Sequence, residues 1–324
     1  MQRPGKFRPG PIDQNFMITF SRNEPVKQPV AMKKPLTSVL AIALLISGCS
    51  TVSLFYRNAD WYLQHKIESY TTFNAQQNEL IRKDVADYMA WHRKYALPEY
   101  IVFLQNLNGA AQYQGRLSRE TVAQLRGQLM NLYKRTMAPA IRPAAKILSM
   151  LDNTQIEELG KNLAEENQKR KDEEFGQSRD KYLDKRADKT VSFLEWLAGN
   201  PSAEQEQKVR DMSRRLPVVG DIYLQYREDN QKKLISLMND HAGDDQAKEQ
   251  RIAAFLSSWL FTPEATRLPQ QQLAIGSFEQ AADEMVVQTL AMMTVAQREH
   301  IHQRISSYID EMRAASVALP DSGQ

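Results

Sequence analysis

The stretch Phe73–Trp91, FNAQQNELIRKDVADYMAW, decides the fold class. Asn74 can accept a hydrogen bond from an unpaired backbone N–H of a first helical turn. Gln77, three residues on, can reach back to the N–H of Asn74, completing a capping box. Leu80, Ile81, Val85, Tyr88, Met89 and Trp91 then recur at helical spacing as an apolar stripe. The same start returns along the chain in Leu151-Asp152-Asn153-Thr154-Gln155 and Met293-Thr294-Val295-Ala296-Gln297, and in Pro201-Ser202-Ala203-Glu204-Gln205 except at its first position. Leu117-Ser118 and Phe261-Thr262-Pro263-Glu264 begin alike, with Thr121 and Ala265 where Gln would stand. Leu151 with Ile156, and Leu117 with Val122, have the spacing of a hydrophobic staple. Each cap is expected to contribute about 1 kcal/mol.

Working outward, the chain reads as helix nearly throughout from Tyr56. Gly and Pro cluster at breaks, alternating β-branched runs are absent, and good helix formers dominate. The expected elements are Tyr56–Tyr70, Asn74–Tyr95, a segment opened by Pro98, Ser118–Met137, and a short piece ending at Met150. After them come Asp152–Leu197 broken near Gly176, Ser202–Arg215, Val218–His241, Asp244–Leu260, Pro263–Met293 and Thr294–Ala315. The prediction is an all-α, multi-helix antiparallel bundle of about ten helices, either one body or two packed subdomains. Residues 165–189 carry so many alternating charges, including Glu165–Lys169 and Glu166–Arg170 at i, i+4, that a solvated helix is expected there. Met285, Met292 and Met293 read as adaptable core filling.

The beginning of the chain has a different composition. Met32-Lys33-Lys34 is a short basic start, Pro35–Leu45 an apolar run, and Ile46-Ser47-Gly48-Cys49 ends it with small residues before the only cysteine. This is the layout of a cleaved export segment, too short for a stable membrane span. It resembles the lipobox of exported bacterial lipoproteins. That resemblance implies acylation of Cys49 as the first mature residue, with Ser50 after it directing the protein to the periplasmic face of the outer membrane. Residues 1–31 have no helical or strand period and read as an upstream extension, with translation starting at Met32. Residues 32–48 are the expected signal peptide, 49–55 a tether, 56–316 the helical periplasmic domain and 317–324 a disordered tail.

The net charge of +3 belongs to the chain with its beginning attached. Residues 1–49 hold seven of the 42 basic and two of the 39 acidic residues, leaving 35 against 37 and a mature charge of −2. That balance argues against nucleic acid as a partner. With no second cysteine, no intramolecular disulfide can form, so packing must stabilise the body.

Two resemblances bear on function. The helix-start pattern resembles the LTxxQ motif of Spy-like and CpxP-like periplasmic chaperones, which implies an envelope-stress role. Tyr56-Arg57-Asn58-Ala59-Asp60-Trp61, Phe73…Gln77, Ala90-Trp91-His92-Arg93 with Leu97-Pro98-Glu99-Tyr100, Leu151…Gln155 and Gln297-Arg298 together resemble a family of proteobacterial outer-membrane lipoproteins of unknown function. That likeness implies an envelope location and a helical fold, and it assigns no catalytic residue.

Chemistry-bearing patterns are sparse. His65, His92, His241, His300 and His302 include no i, i+4 pair, and a cysteine-type zinc site has too few thiols. There is no Gly-rich phosphate cradle and no nucleophile elbow. Acid catalysis needs a carboxyl held in an apolar pocket, and Glu165-Glu166 lie in the most polar stretch. The expectation is a non-enzymatic envelope binding or scaffold protein with no cofactor or metal, held to the membrane by its lipid alone and engaging an envelope protein partner. A chaperone role and an unrecognised envelope hydrolase are the alternatives. Asp60, Trp61, Trp91, His92 and Arg93 are the candidate recognition residues, reading either as core anchors with terminal ion pairs or as a pocket between the first two helices.

Overall fold

The computed structural model describes residues 51–113, 117–240 and 242–317, and these are all-α, with no strand among them. Twelve α-helices follow in order: α1 (Thr51–Glu68), α2 (Ala75–Trp91), α3 (Leu97–Gln112), α4 (Arg119–Met137), α5 (Ile141–Ser149), α6 (Asn153–Phe175), α7 (Arg179–Ala198), α8 (Ala203–Arg215), α9 (Gly220–Met238), α10 (Asp245–Phe261), α11 (Pro269–Ala291) and α12 (Val295–Val317). The upstream extension, the signal segment, Cys49, Ser50, His241 and the tail from residue 318 lie outside the described residues.

The predicted caps are present. Asn74, Asp152 and Ser202 each close a full capping box with Gln77, Gln155 and Gln205. Thr294 and Gln297 exchange the same pair of bonds at the start of α12. Ser118 caps α4 at the N–H of Thr121. The break near Gly176 separates α6 from α7 as expected. At the far end of α7, Gly199 takes φ 79°, a left-handed geometry that favours glycine after a helix.

Several expectations are corrected. Residues 51–55, expected as tether, are the first turns of α1, and the N–H of Val52 donates to Glu311 on α12 at 3.1 Å. Pro98 stands in the first turn of α3 as expected, but no break precedes it. A π turn, His92–Ala96, carries α2 directly into α3, with the Leu97 N–H bonding back to His92 O. Proline lacks an N–H for the α-helical ladder, and the π turn shifts that ladder immediately before it. Thr262 does not start a long helix. A 3-10 turn, Pro263–Ala265, intervenes before α11, where Gln271 accepts from the N–H of Leu268.

Glu166 is not a solvated residue either. It faces inward and holds Tyr70 Oη at 3.0 Å, Arg227 at 2.9 Å and Lys66 at 3.5 Å. Next to it, Asn167 is buried and donates to Gln231. The outward charges of α6 pair as Lys161–Glu165 and Lys169–Glu173, opposite in order to the expected Glu165–Lys169.

Helices α7 and α8 form an antiparallel pair, laced by Asp184–Arg214 and Asp188–Arg210. Arg186 donates to the carbonyls of Ser213, Leu216 and Pro217, satisfying the C-terminus of α8. Helix α3 runs antiparallel to α12, with Asn108 beside His302 and the Ala111 carbonyl accepting from Arg298.

Three apolar clusters form the core. Ile141 and Ala145 of α5 meet Ile156, Leu159, Leu234, Met238, Ile252 and Leu256 from α6, α9 and α10. Tyr56 and Ala59 of α1 meet Ile81, Val85, Met89 and Leu97. Val191, Leu194 and Val209 meet Ile301, Ile305 and Ile309. Ile147 carries α5 from the first cluster into the second, and Ala315 carries α12 from the third into the second. The described residues therefore make one body, not two subdomains. Met285, Met292 and Met293 pack against the third cluster as expected.

The four capping glutamines do more than cap. Gln77 Nε2 donates to Gln155 Oε1 at 3.0 Å, and Gln155 Nε2 returns a bond to Gln77 Oε1 at 2.7 Å. Their remaining N–H groups go to the carbonyls of Met150 and Thr72, so each amide uses both its donors and accepts twice. Gln205 and Gln297 repeat this, at 2.9 and 3.0 Å, with Met292 O and Asn200 O as the backbone acceptors. Two amide clasps thus tie α2 to α6 and α8 to α12 at their N-termini.

Candidate functional site

The candidate residues converge where α1 crosses the π turn. Tyr56 and Asp60, one turn apart on α1, face His92 and Arg93. Tyr56 Oη and His92 Nδ1 are 3.0 Å apart. Arg93 Nη2 donates to the Tyr56 carbonyl and to Asp60 Oδ1, both at 3.1 Å. The extra residue in the π turn places the imidazole and the guanidinium side by side toward α1.

Around His92 stand the rings of Tyr56, Tyr88, Trp91 and Tyr100, with centroids between 5.6 and 6.3 Å away. Two of these tyrosines are fixed from outside. The Tyr88 hydroxyl donates to the Thr136 carbonyl and the Tyr100 hydroxyl to Thr136 Oγ1, at the end of α4. Trp91 continues outward to Tyr95, which is exposed.

Trp61 is the exception among the candidates. It points away from this cluster, 65% exposed, and stacks on His65 at 5.4 Å with an interplanar angle of 3°. It is neither a core anchor nor part of a pocket between α1 and α2. His300 lies against the backbone of Gly199, away from the cluster.

Burial, and then the neighbouring Arg93 charge, lowers the His92 pKa to about 4. Burial also pushes Tyr56 well above the ordinary tyrosine range and raises Tyr88 to about 12. At neutral pH the imidazole is therefore uncharged, and its Nδ1 shares one hydrogen bond with the Tyr56 hydroxyl. Such a pair is a poor proton shuttle near pH 7, because the imidazole gains a proton only in acid and the phenol loses one only in strong base. What it does is lock three helices and the π turn in one arrangement.

That gives a pH prediction. The unfolded chain protonates His92 near 6.5, while the folded chain does so only near 4. Stability from this group is full above about 6.5 and declines as pH falls toward 4, by at most about 2 kcal/mol after allowing for partial exposure. His92→Gln keeps a hydrogen-bond acceptor without a titrating ring, so its urea midpoint should change less than wild type's across that interval.

Sequence reading brought Asp60, Trp91, His92 and Arg93 forward and missed Tyr56, Tyr88 and Tyr100. Tyr56 and Asp60 at i, i+4 on one helix face were the available signal. A cleft of about 210 Å³ lined by Phe175, Gln177, Arg179, Tyr182 and Val218 lies by the α6–α7 turn, far in sequence from these groups. Among the described residues no three His, Cys, Asp or Glu side chains converge as metal ligands, and no helix is long and apolar enough to cross a membrane.

No curated protein and no solved structure matches the chain. The model of a family of unknown function, DUF6279, matches residues 69–266, from the end of α1 through α10. His92, Arg93 and the first amide clasp fall inside that match, whereas Tyr56, Asp60 and Gln297 fall outside it. The chain belongs to this family of unknown function.

Proposed function

We propose that this is a lipoprotein anchored by acylated Cys49 to the periplasmic face of the outer membrane, acting without catalysis as a binding or scaffold protein of the envelope. The observation that carries the reading is the Met32–Cys49 segment placed directly before a helical body. Ser50 supports outer-membrane sorting by the lipoprotein resemblance. Support for a non-catalytic role comes from three inward-facing ionisable groups, Glu166, Asp283 and His92, each engaged by a partner inside the fold. Glu166 is paired with Arg227 and Lys66, Asp283 with Arg126, and His92 with the Tyr56 hydroxyl. The aromatic run from His92 through Trp91 to exposed Tyr95 is the recognition surface this reading favours.

Affinity capture from crosslinked envelopes tests it, with a Cys49→Ala form as the unanchored control. A scaffold recovers one or a few stoichiometric partners, and Tyr95→Ala weakens their recovery. Suppression of aggregation of unrelated unfolded clients at near-equimolar ratio would instead establish the chaperone alternative. Turnover of cell-wall fragments would establish the hydrolase.

A further inference from the structure

The distance between the expected anchor and the folded body is fixed by covalent geometry. Only Ser50 separates Cys49 from Thr51, the first residue of α1. Two extended residues reach about 7 Å at most, so an acylated Cys49 would hold the start of α1 within the headgroup region. This helix is not a loose leash. The Val52 N–H is held by Glu311, and Tyr56 and Ala59 are buried in the core. Wherever the start of α1 is held, the rest of the body follows.

The face of α1 turned away from the core carries Arg57, Trp61 and His65 at i, i+4 and i+8, all exposed. Trp61 is ten residues from Thr51, about 15 Å along the axis. An exposed indole is unusual in water and favourable at a membrane interface, where its apolar body and polar N–H both find partners. The Trp61 ring stacks on that of His65, one turn along the same exposed face. A basic residue beside it suits anionic headgroups.

We infer that α1 lies along the bilayer surface, with Trp61 seated in the lipid interface. The acyl anchor thereby sets the orientation of the whole helical body and does not merely limit its distance. This rests on the proposed lipid anchor, and the test separates the two claims.

Full-length acylated protein is reconstituted in phosphatidylethanolamine–phosphatidylglycerol vesicles, with and without lipids brominated high on their chains. Flotation reads the anchor, and tryptophan quenching by the brominated lipid reads the docked face. Wild type should float and be quenched, and Trp61→Phe should float with most of that quenching gone, because Trp91, Trp196 and Trp259 lie off this face. A flexible Gly-Ser insertion between Ser50 and Thr51 should float and lose most of the quenching as well. Protein that fails to float overturns the anchor. Protein that floats with no quenching, or with equal quenching in Trp61→Phe, leaves the anchor standing and overturns the docked orientation.

Discussion

Gln155→Ala should destabilise the fold by about 3–5 kcal/mol, far more than loss of a helix cap alone. An ordinary N3 glutamine closes one bond to the cap residue. Gln155 also supplies one side of the clasp, and its removal strands the buried amide of Gln77, the Thr72 carbonyl and the Asp152 N–H. Gln77 is 1% exposed, so water cannot replace the missing partner. A buried donor or acceptor without a partner costs about 1–3 kcal/mol. The Gln77→Leu/Gln155→Leu double variant should lose less than its two single variants together, by a coupling of about 1–3 kcal/mol. The second clasp is a built-in comparison. Gln297 is 9% exposed and its bond to Asn200 is long at 3.4 Å, so Gln297→Ala should cost less than Gln155→Ala. Urea unfolding, in the Cys49→Ala background, measures all five variants. A loss of only about 1 kcal/mol for Gln155→Ala would mean that the residue acts as a cap and nothing more.

The second large effect concerns α4 and α11. Arg126 makes a two-pronged contact with Asp283, at 3.0 and 2.9 Å, and reaches Glu279 at 2.8 Å. Asp283 is 4% exposed. Arg126→Met should remove about 2–3 kcal/mol, because it leaves a buried carboxylate without its cation. The figure sits below that for a fully buried pair because the Arg126 side chain is 37% exposed. Arg126→Met/Asp283→Leu should recover most of the loss, since apolar groups in place of a buried ion pair avoid its desolvation. A double variant as unstable as the single one would show that the ion pair itself holds α4 to α11.

Helix starts were legible because capping is local. Asn74, Asp152, Ser202 and Thr294 are each satisfied within three residues, so the sequence contains both partners at once. The pairing of the glutamines was not legible. It joins residues 78 and 92 apart, and nothing within either motif says which other copy it will meet. The same reason hid Tyr56 from the His92 cluster, at a separation of 36 residues. Glu166 misled because its own stretch is highly charged, while the cations that turn it inward come from α1 and α9. For Trp61, aromatic character suggested the core, but Tyr56 and Ala59 had already claimed the buried face of α1. The π turn was half legible. Pro98 marks a disturbance in the ladder, and only the packing of α1 across the junction favours a widened turn over a break.

The most direct test of the account is mass spectrometry of the mature protein's first peptide, taken from purified envelopes. Acylated Cys49 as residue one, with the modification and the membrane association both lost in Cys49→Ala, is the predicted result. A mature chain that starts upstream of Cys49, or that carries an unmodified thiol there, would contradict it.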